Sequence, residues 1–188
     1  MIVSMRKLTH AELIARQQQQ QTRPSRLPFT VVLNNIRSLH NVGSIFRTCD
    51  GVGVEKLWLC GITGYPPNAQ LAKTALGAEA RVSWEYRADV RSVLKELKAK
   101  NYRIVLLEQT TRSIPHDGFE PGGPVCLVVG NEIEGVAQSI VALCDVAIEI
   151  EMAGLKNSLN VSVAFGVAAY HFRSCFSCNP TANSSWKL

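Results

Sequence analysis

Short runs of Val, Ile and Leu recur along this chain, and segments with helical spacing of apolar residues lie between them. The apolar runs read FTVVLN, KLWLC, YRIVLLE, VCLVVG and VAIEIE, and the helical patterns include AQLAKTAL and DVRSVLKELKAK. Strands that are apolar throughout are typical of a parallel sheet covered on both faces. The sequence therefore predicts an α/β fold, a parallel sheet with helices on both faces.

Length and composition predict one domain with short appendages. The chain has 188 residues, of which 46% are hydrophobic, enough to bury one sizeable core. Residues 1–28 are predicted to be a basic N-terminal helical extension and linker, because MRKLTHAELIARQQQQQ has helical spacing and TRPSRLP follows it. Residues 29–174 are predicted to form the domain, and residues 175–188 a flexible tail.

The positive charge is concentrated at the N-terminus. The net charge is +5, and residues 1–37 contain six basic residues against the single acidic Glu12, so this segment carries the whole surplus. A basic arm ahead of a neutral domain suits a polyanion such as nucleic acid. The alternative is a solvated tail without a partner.

The cysteines and the hydropathy pattern exclude several classes of protein. Four of the six cysteines lie in or beside apolar runs, which indicates buried, reduced thiols, and Cys175 and Cys178 lack the second ligand pair that zinc requires. We therefore expect no metal. No run approaches the ~20 apolar residues of a membrane span, and no signal-type segment is present, so we predict no membrane association and a cytoplasmic location.

Three loops follow predicted strands, where parallel sheets bind their ligands. They read NNIRSLHNVGS, GNEIEG and EMAGLKNSLN. In the second loop, Gly130 and Gly135 let main-chain amides reach a ligand, while Glu132 and its acidic neighbour disfavour a phosphate, so a neutral or cationic ligand fits better. An ordinary turn is the alternative interpretation.

The third loop leads into a segment that is apolar on nearly every side, SLNVSVAFGVAAYHF. Such a helix is expected to be buried, either within the chain or across a dimer. Asn157 or Ser158 could be its N-cap. A cap explains one polar side chain and not three, so we predict that Asn160, inside the first turn, is functional.

Together these segments resemble the three motifs of the SpoU branch of the SPOUT RNA methyltransferases, which methylate ribose 2′-hydroxyls of tRNA or rRNA. The resemblance covers roughly residues 29–172 and includes KTALGAE at residues 73–79. Its motif residues, in chain order, are Asn41, Gly43, Arg47, Gly53, Gly130, Glu132, Gly135, Ser158, Leu159 and Asn160.

The resemblance implies a fold that periodicity does not predict, a parallel sheet with a C-terminal deep trefoil knot. It also implies that the knotted loops hold S-adenosyl-L-methionine in a bent pose and that two subunits pair through their knot helices as a homodimer. The cofactor-binding residues that it implies are Leu107, Gln109, Gly130, Glu132, Gly135, Ile150, Met152 and Leu159.

The catalytic residues implied by the resemblance are Arg47, Asn41, Glu132, Ser158 and Asn160. The glycines of the first motif would let the helix of Arg47 approach the cofactor, and Asn41 with Arg47 would face the target ribose. Arg47 either takes the proton of the 2′-hydroxyl or stays charged, binds a phosphate and stabilises the developing alkoxide. Ser158 and Asn160 would orient Arg47 or the ribose, and Glu132 would anchor the loops.

Two other functions remain open from the sequence. A non-catalytic RNA-binding protein of the same fold would have no chemical need of the five polar motif residues together. A nucleotide-dependent oxidoreductase would need a glycine signature that is missing after the first strand. Aromatic residues make up only 7% of the chain, so we expect RNA recognition by shape and backbone contacts.

Overall fold

One parallel sheet forms the centre of the protein. The computed structural model describes residues 5–21 and 26–178. In these ranges the strands are β1 (Phe29–Asn34), β2 (Lys56–Cys60), β3 (Trp84–Arg87), β4 (Arg103–Leu107), β5 (Ile114–Pro115), β6 (Val125–Val129) and β7 (Val146–Glu149). Their order across the sheet is β3-β2-β1-β6-β4-β7-β5, and every neighbouring pair is parallel.

Helices cover both faces of this sheet. The helices of the described ranges are α1 (His10–Gln21), α2 (Leu39–Val52), α3 (Ala69–Ala75), α4 (Val90–Ala99), α5 (Gln138–Val141) and α6 (Val161–Cys178), with short 3-10 turns at Ala78–Ala80 and His116–Gly118. Helices α2, α3 and α6 bury their apolar residues on one face, and α4 and α5 bury theirs on the other. The predicted α/β class is confirmed.

The order of the strands determines where a ligand can bind. From β1 the chain builds outward through β2 to β3 and then returns to place β6 on the other side of β1. Such a reversal opens a crevice at the carboxyl ends of the strands, where open α/β sheets bind ligands. The predicted loops follow β1, β6 and β7, so all three lie at this edge.

Helix α2 begins and ends at residues suited to those positions. The side chain of Ser38 accepts a hydrogen bond from the backbone N–H of Asn41, and Gly53 ends the helix in the left-handed conformation with a φ of 81°. A Cβ at Gly43 would clash with Thr74 and with the carbonyl of Leu71 in α3. Gly43 therefore serves close packing of α2 on α3, and the expected approach of this motif's glycines to a cofactor stays a prediction.

Helix α6 begins at Val161, so Asn160 is its cap and does not lie inside the first turn as the sequence suggested. The side chain of Asn160 accepts a hydrogen bond of 3.0 Å from the backbone N–H of Ser162, the bond expected of an Asn cap.

The apolar surface of α6 is only half buried. Phe165 and Phe172 are fully buried, whereas Val163, Val167 and Tyr170 on the other side are 51%, 38% and 55% exposed. The expected burial of the whole helix therefore does not occur within the single chain.

Some expectations fall at or beyond the limits of the described ranges. Helix α6 continues to Cys178, past the predicted domain end at residue 174. Residues 179–188 of the predicted tail, and residues 1–4 and 22–25 of the predicted extension, lie outside the described residues. Within the described ranges, no helix combines the length and apolarity needed to cross a bilayer. The knot implied by the resemblance stays a prediction.

Candidate active site

A cavity of about 650 Å³ opens at the carboxyl ends of β4, β6 and β7. Its volume lies within the range of about 300–1,000 Å³ that small-molecule sites occupy. We call it the edge pocket. All eight predicted cofactor-binding residues line it, as do Ser158 and Asn160 of the predicted catalytic set.

The edge pocket is acidic and partly apolar. Its charged lining residues are Glu108, Glu132 and Glu149, and no Lys, Arg or His of the described ranges lines it. Apolar side chains, among them Leu107 and Met152, supply the rest of the wall. This lining suits a cation that also carries an apolar ring.

The loop after β6 is a tight turn in which Asn131 and Gly135 exchange backbone hydrogen bonds of 3.1 and 3.0 Å. Gly135 has a φ of +64°, which favours glycine, and a Cβ at Gly130 would lie 2.8 Å from the carbonyl carbon of Gly135. Gly130 therefore has no room for a side chain, and Gly135 adopts its left-handed conformation without strain. This turn presents Glu132 at the mouth of the pocket.

Glu132 connects two of the three loops. Its carboxylate accepts hydrogen bonds from Asn41 Nδ2 at 2.9 Å and from the backbone N–H groups of Arg37 and Ser38 at 3.3 Å each. Burial raises the pKa of Glu132, but these hydrogen bonds outweigh it, so the pKa lies below its ordinary value of 4.5. Glu132 is therefore held as a carboxylate that fixes the start of α2.

Asn160 joins the third loop to the same network. Its Nδ2 donates to Asn41 Oδ1 at 3.2 Å, across 119 positions of sequence, and its Oδ1 accepts from the hydroxyl of Ser162 at 2.7 Å. The side chain of Ser158 lines the pocket and forms no hydrogen bond with the described part of the chain. The structure thus brings Asn41, Glu132 and Asn160 together, with Ser158 nearby.

Arg47 lies outside the edge pocket. It borders an adjoining cavity of about 710 Å³, the arginine cleft, whose lining includes Lys73, Ser162 and Tyr170. Arg47 is exposed and forms no hydrogen bond or ion pair with residues 5–21 or 26–178. The two cavities meet where the hydroxyl of Ser162 contacts Asn160.

Sequence reasoning missed several residues that hold this site together. Asn131 Nδ2 donates to the carbonyl of Asn35 at 2.9 Å, and Gln109 Nε2 donates to the carbonyl of Asn157 at 2.6 Å. Gln109, predicted to bind the cofactor, thus also ties the loop after β4 to the segment before α6. The position of Asn131 between Gly130 and Glu132 was the available signal.

His171 and three of the cysteines lie outside both cavities. His171, in the second half of α6, contacts the carbonyl of Phe119 at 2.8 Å and packs against Phe172 of the core. Cys49, Cys60 and Cys126 are buried. Among the described residues, no group of three or more His, Cys, Asp or Glu side chains is placed to hold a metal ion.

Comparison with known proteins identifies the family. The model of the SpoU rRNA Methylase family matches residues 28–170. The chain is 34% identical to a tRNA (guanosine(18)-2′-O)-methyltransferase of Aquifex aeolicus, over 74% of this chain and 66% of that protein. It is 32% identical to a 23S rRNA (guanosine-2′-O-)-methyltransferase of Pectobacterium atrosepticum, over 77% and 59%. The chain thus spans less than two thirds of the length of these two relatives.

Solved structures agree with this family. The crystal structure of the A. aeolicus TrmH/SpoU tRNA modifying enzyme superimposes with a TM-score of 0.78 at 28% identity, covering 90% of this chain and 88% of that one. An AdoMet-bound rRNA methyltransferase from Sinorhizobium meliloti, at 23% identity and a TM-score of 0.74, shares the fold over 82% of this chain and 59% of that one. The chain belongs to the SpoU rRNA Methylase family.

Proposed function

We propose that this protein is an S-adenosylmethionine-dependent methyltransferase that modifies a ribose 2′-hydroxyl of tRNA or rRNA. Family membership and the names of the relatives support the reaction class. The observation that carries the proposal is the hydrogen-bonded network of Asn41, Glu132 and Asn160 at the border between an acidic pocket and a cleft whose Arg47 has no partner among the described residues.

The edge pocket fits S-adenosylmethionine by its chemistry. The cofactor has a positively charged sulfonium and ammonium group, which the three carboxylates of the pocket attract, and an apolar purine. Leu107, Ile150, Met152 and Leu159 would hold the purine. Gly130, Gly135 and Gln109 would shape the wall around it. When bound, S-adenosylmethionine supplies an electrophilic methyl group.

Arg47 is assigned the charged role. It is exposed and unpartnered within the described ranges, so its guanidinium is available to an RNA phosphate beside the target ribose. From there it stabilises the negative charge that develops on the 2′-oxygen while the proton leaves to water. Most of the rate then comes from positioning.

Asn41, Ser158 and Asn160 position the ribose. Asn41 is fixed by Glu132 on one side and by Asn160 on the other, so its place is determined before RNA binds. The hydroxyl of Ser158 at the pocket wall has no partner within residues 5–21 and 26–178, so it can bind a ribose oxygen. Glu132 acts through Asn41 and the start of α2 as a positioning residue.

We also propose a homodimer that pairs through α6. The exposed Val163, Val167 and Tyr170 form an apolar strip, and small residues beside it allow close approach of a second helix. Tyr170 also lines the arginine cleft, so pairing would bring a second chain beside Arg47. We further propose that the protein is cytoplasmic and that basic residues of the N-terminal extension, residues 1–28, bind RNA phosphates. The predicted division into this extension, a methyltransferase domain and a C-terminal tail is part of the same proposal.

The test is transfer of a tritiated methyl group from S-adenosylmethionine to purified tRNA and rRNA, followed by alkaline hydrolysis. We expect label in alkali-resistant dinucleotides, because 2′-O-methylation blocks cleavage at that position. Label in base-modified nucleotides would contradict the proposal. RNA binding without any transfer would favour the non-catalytic protein, and calorimetric binding of NAD in place of S-adenosylmethionine would favour the oxidoreductase.

A further inference from the structure

A cluster of aromatic side chains lies on β3, at the outer side of the sheet, and on the loop that follows β2. Tyr65 follows β2, and Trp84 and Tyr86 belong to β3, the strand beyond it. The ring centroids of Tyr65 and Tyr86 are 4.6 Å apart, and those of Tyr65 and Trp84 are 6.3 Å apart. We call these three side chains the aromatic platform.

The platform is open to solvent. Tyr65 is 47% exposed and Tyr86 is 37% exposed, and Ile62 beside them is 62% exposed. Trp84 is half-buried and packs edge-on against Phe46 of the core. An exposed apolar patch that is anchored to the core is typical of an interaction site.

The loop that carries Tyr65 is held in place by buried hydrogen bonds. The hydroxyl of Thr63, itself fully buried, donates to the carbonyl of Leu33 at 3.2 Å and accepts from the backbone N–H of Ile36 at 3.0 Å. The hydroxyl of Tyr86 donates to the carbonyl of Gly61 at 2.9 Å. The tyrosine rings are therefore presented by a fixed backbone, which lowers the entropy lost when a ligand stacks on them.

The same loop is linked to the candidate active site. The backbone N–H of Ile62 donates to Asn35 Oδ1 at 3.1 Å, and the carbonyl of Asn35 accepts from Asn131 of the edge pocket at 2.9 Å. Since neighbouring strands lie about 4.8 Å apart, the end of β3 is separated by roughly 10 Å from that of β1, after which α2 begins, and by roughly 14 Å from that of β6 at the edge pocket. Nucleotides a few positions apart in one strand can span this separation.

The chemistry of this surface selects a nucleic acid base. An unpaired base offers an apolar face to a tyrosine ring, and the phosphate beside it offers a negative charge. Arg37 follows β1, and its backbone N–H binds Glu132 of the edge pocket, while its side chain is exposed and its guanidinium has no partner in the described part of the chain. A nucleotide supplies both an apolar ring face and a negative charge in one unit, whereas a protein partner would need two separate side chains to do so.

We infer that the aromatic platform stacks an unpaired base of the RNA that flanks the target nucleotide. The inference rests on the proposed function, because it takes RNA to be the substrate. Sequence reasoning overlooked this surface, since Tyr65 and Tyr86 are far apart in sequence and become neighbours only through the pairing of β2 with β3.

The test compares Tyr65→Leu with Tyr65→Phe, a matched control that keeps the ring. The probe is fluorescein-labelled total tRNA, and its affinity is measured by fluorescence anisotropy. We expect about tenfold weaker binding for Tyr65→Leu, the size of one lost base–aromatic stack, and affinity close to wild type for Tyr65→Phe. Affinity for S-adenosylmethionine, measured by calorimetry, and the melting temperature should match the wild type in both variants.

Unchanged tRNA affinity in Tyr65→Leu would overturn the inference and leave the platform to a protein partner. Equal weakening in both variants would also overturn it, because the ring would then not be responsible. Wild-type protein that does not bind the probe overturns it as well. Methyl transfer by the same preparations tests the proposed function separately. If Tyr65→Leu transfers the methyl group and binds tRNA as tightly as the wild type does, only the inference about the aromatic platform is rejected.

A second measurement locates the contact. Single-stranded RNA carrying 5-iodouridine is irradiated on the full-length protein, and crosslinked peptides are mapped by mass spectrometry. Crosslinks to Tyr65 or Tyr86 support the inference. Crosslinks confined to other segments count against it.

Discussion

The edge pocket and the arginine cleft share a border, but the single chain completes them to different degrees. At the pocket, the side chains of Asn41, Glu132 and Asn160 satisfy one another through hydrogen bonds. At the cleft, Arg47 has no partner within the described ranges, and the apolar side chain of Val167 is exposed on the neighbouring helix α6.

This difference indicates which parts of the proposed reaction the chain prepares alone. Polar groups that are already satisfied and fixed lower the cost of binding a small molecule, as a cofactor pocket requires. An unpartnered charge and an exposed apolar strip need further molecules to complete them. We therefore interpret the pocket as a pre-organised cofactor half and the cleft as an open half that RNA and a second copy of the chain complete.

Arg47→Ala should impair only the arginine cleft, the open half of the site, and should produce the largest loss of methyl transfer. We expect methyl transfer to fall by about 10²–10³-fold, as when one group that stabilises a developing oxyanion is removed, while S-adenosylmethionine binds as before. Tritium transfer and calorimetry measure the two quantities. Arg81→Ala, at an exposed arginine outside both cavities, is the control. Full activity of Arg47→Ala would remove Arg47 from the site.

Glutamate at Val163 and Val167 should separate the proposed dimer. A charge buried in an apolar interface is costly, so we expect dimer association to weaken by about a hundredfold or more, with loss of transfer at low protein concentration. Light scattering measures the mass, and melting temperature checks the fold. The double alanine variant should remain a dimer. A glutamate variant that keeps the mass of the wild type would place the interface elsewhere.

Glu132→Gln should damage the pre-organised half. The new amide places an N–H₂ group near the N–H donors of Arg37 and Ser38, which removes a hydrogen bond that is exposed to water, at a cost of about 0.5–1.5 kcal/mol in the free energy of unfolding. Urea unfolding measures this loss, and transfer should decrease with it. Glu134→Gln, in the same loop but outside the network, is the matched control. Equal stability of both variants would show that the network contributes nothing.

The smallest expected effect is the pH dependence of the stability difference between wild type and Glu132→Gln. Because the pKa of Glu132 is lowered in the folded protein, its stabilising contribution is present above its ordinary value of 4.5 and is lost as the pH falls through the folded-state value. The difference in unfolding free energy between wild type and Glu132→Gln should therefore shrink below pH 4.5. A difference that stays constant on acidification would contradict the charged role of Glu132.

The sequence predicted the edge pocket well for a physical reason. Motifs that directly follow buried strands must meet, because parallel strands bring their carboxyl ends to one edge. Gly130, Glu132 and Met152 are such residues, and all of them line the pocket.

Residues on helices were harder to place. The direction of Arg47 depends on how α2 rotates against α3. Gly43 sets that contact, but nothing in the sequence of α3 indicates that α3 packs against this glycine. The partial exposure of α6 was also hidden, because Val163 on the exposed side and Phe165 on the buried side are equally apolar. Packing distinguishes them, and periodicity does not.

The most direct test of the account maps ribose methylation across tRNA and rRNA from cells with and without this gene. We expect 2′-O-methylation to disappear at a defined nucleotide, to return with the wild-type gene and to stay absent with Arg47→Ala. Identical maps with and without the gene would contradict the account, as would rescue by the Arg47→Ala protein.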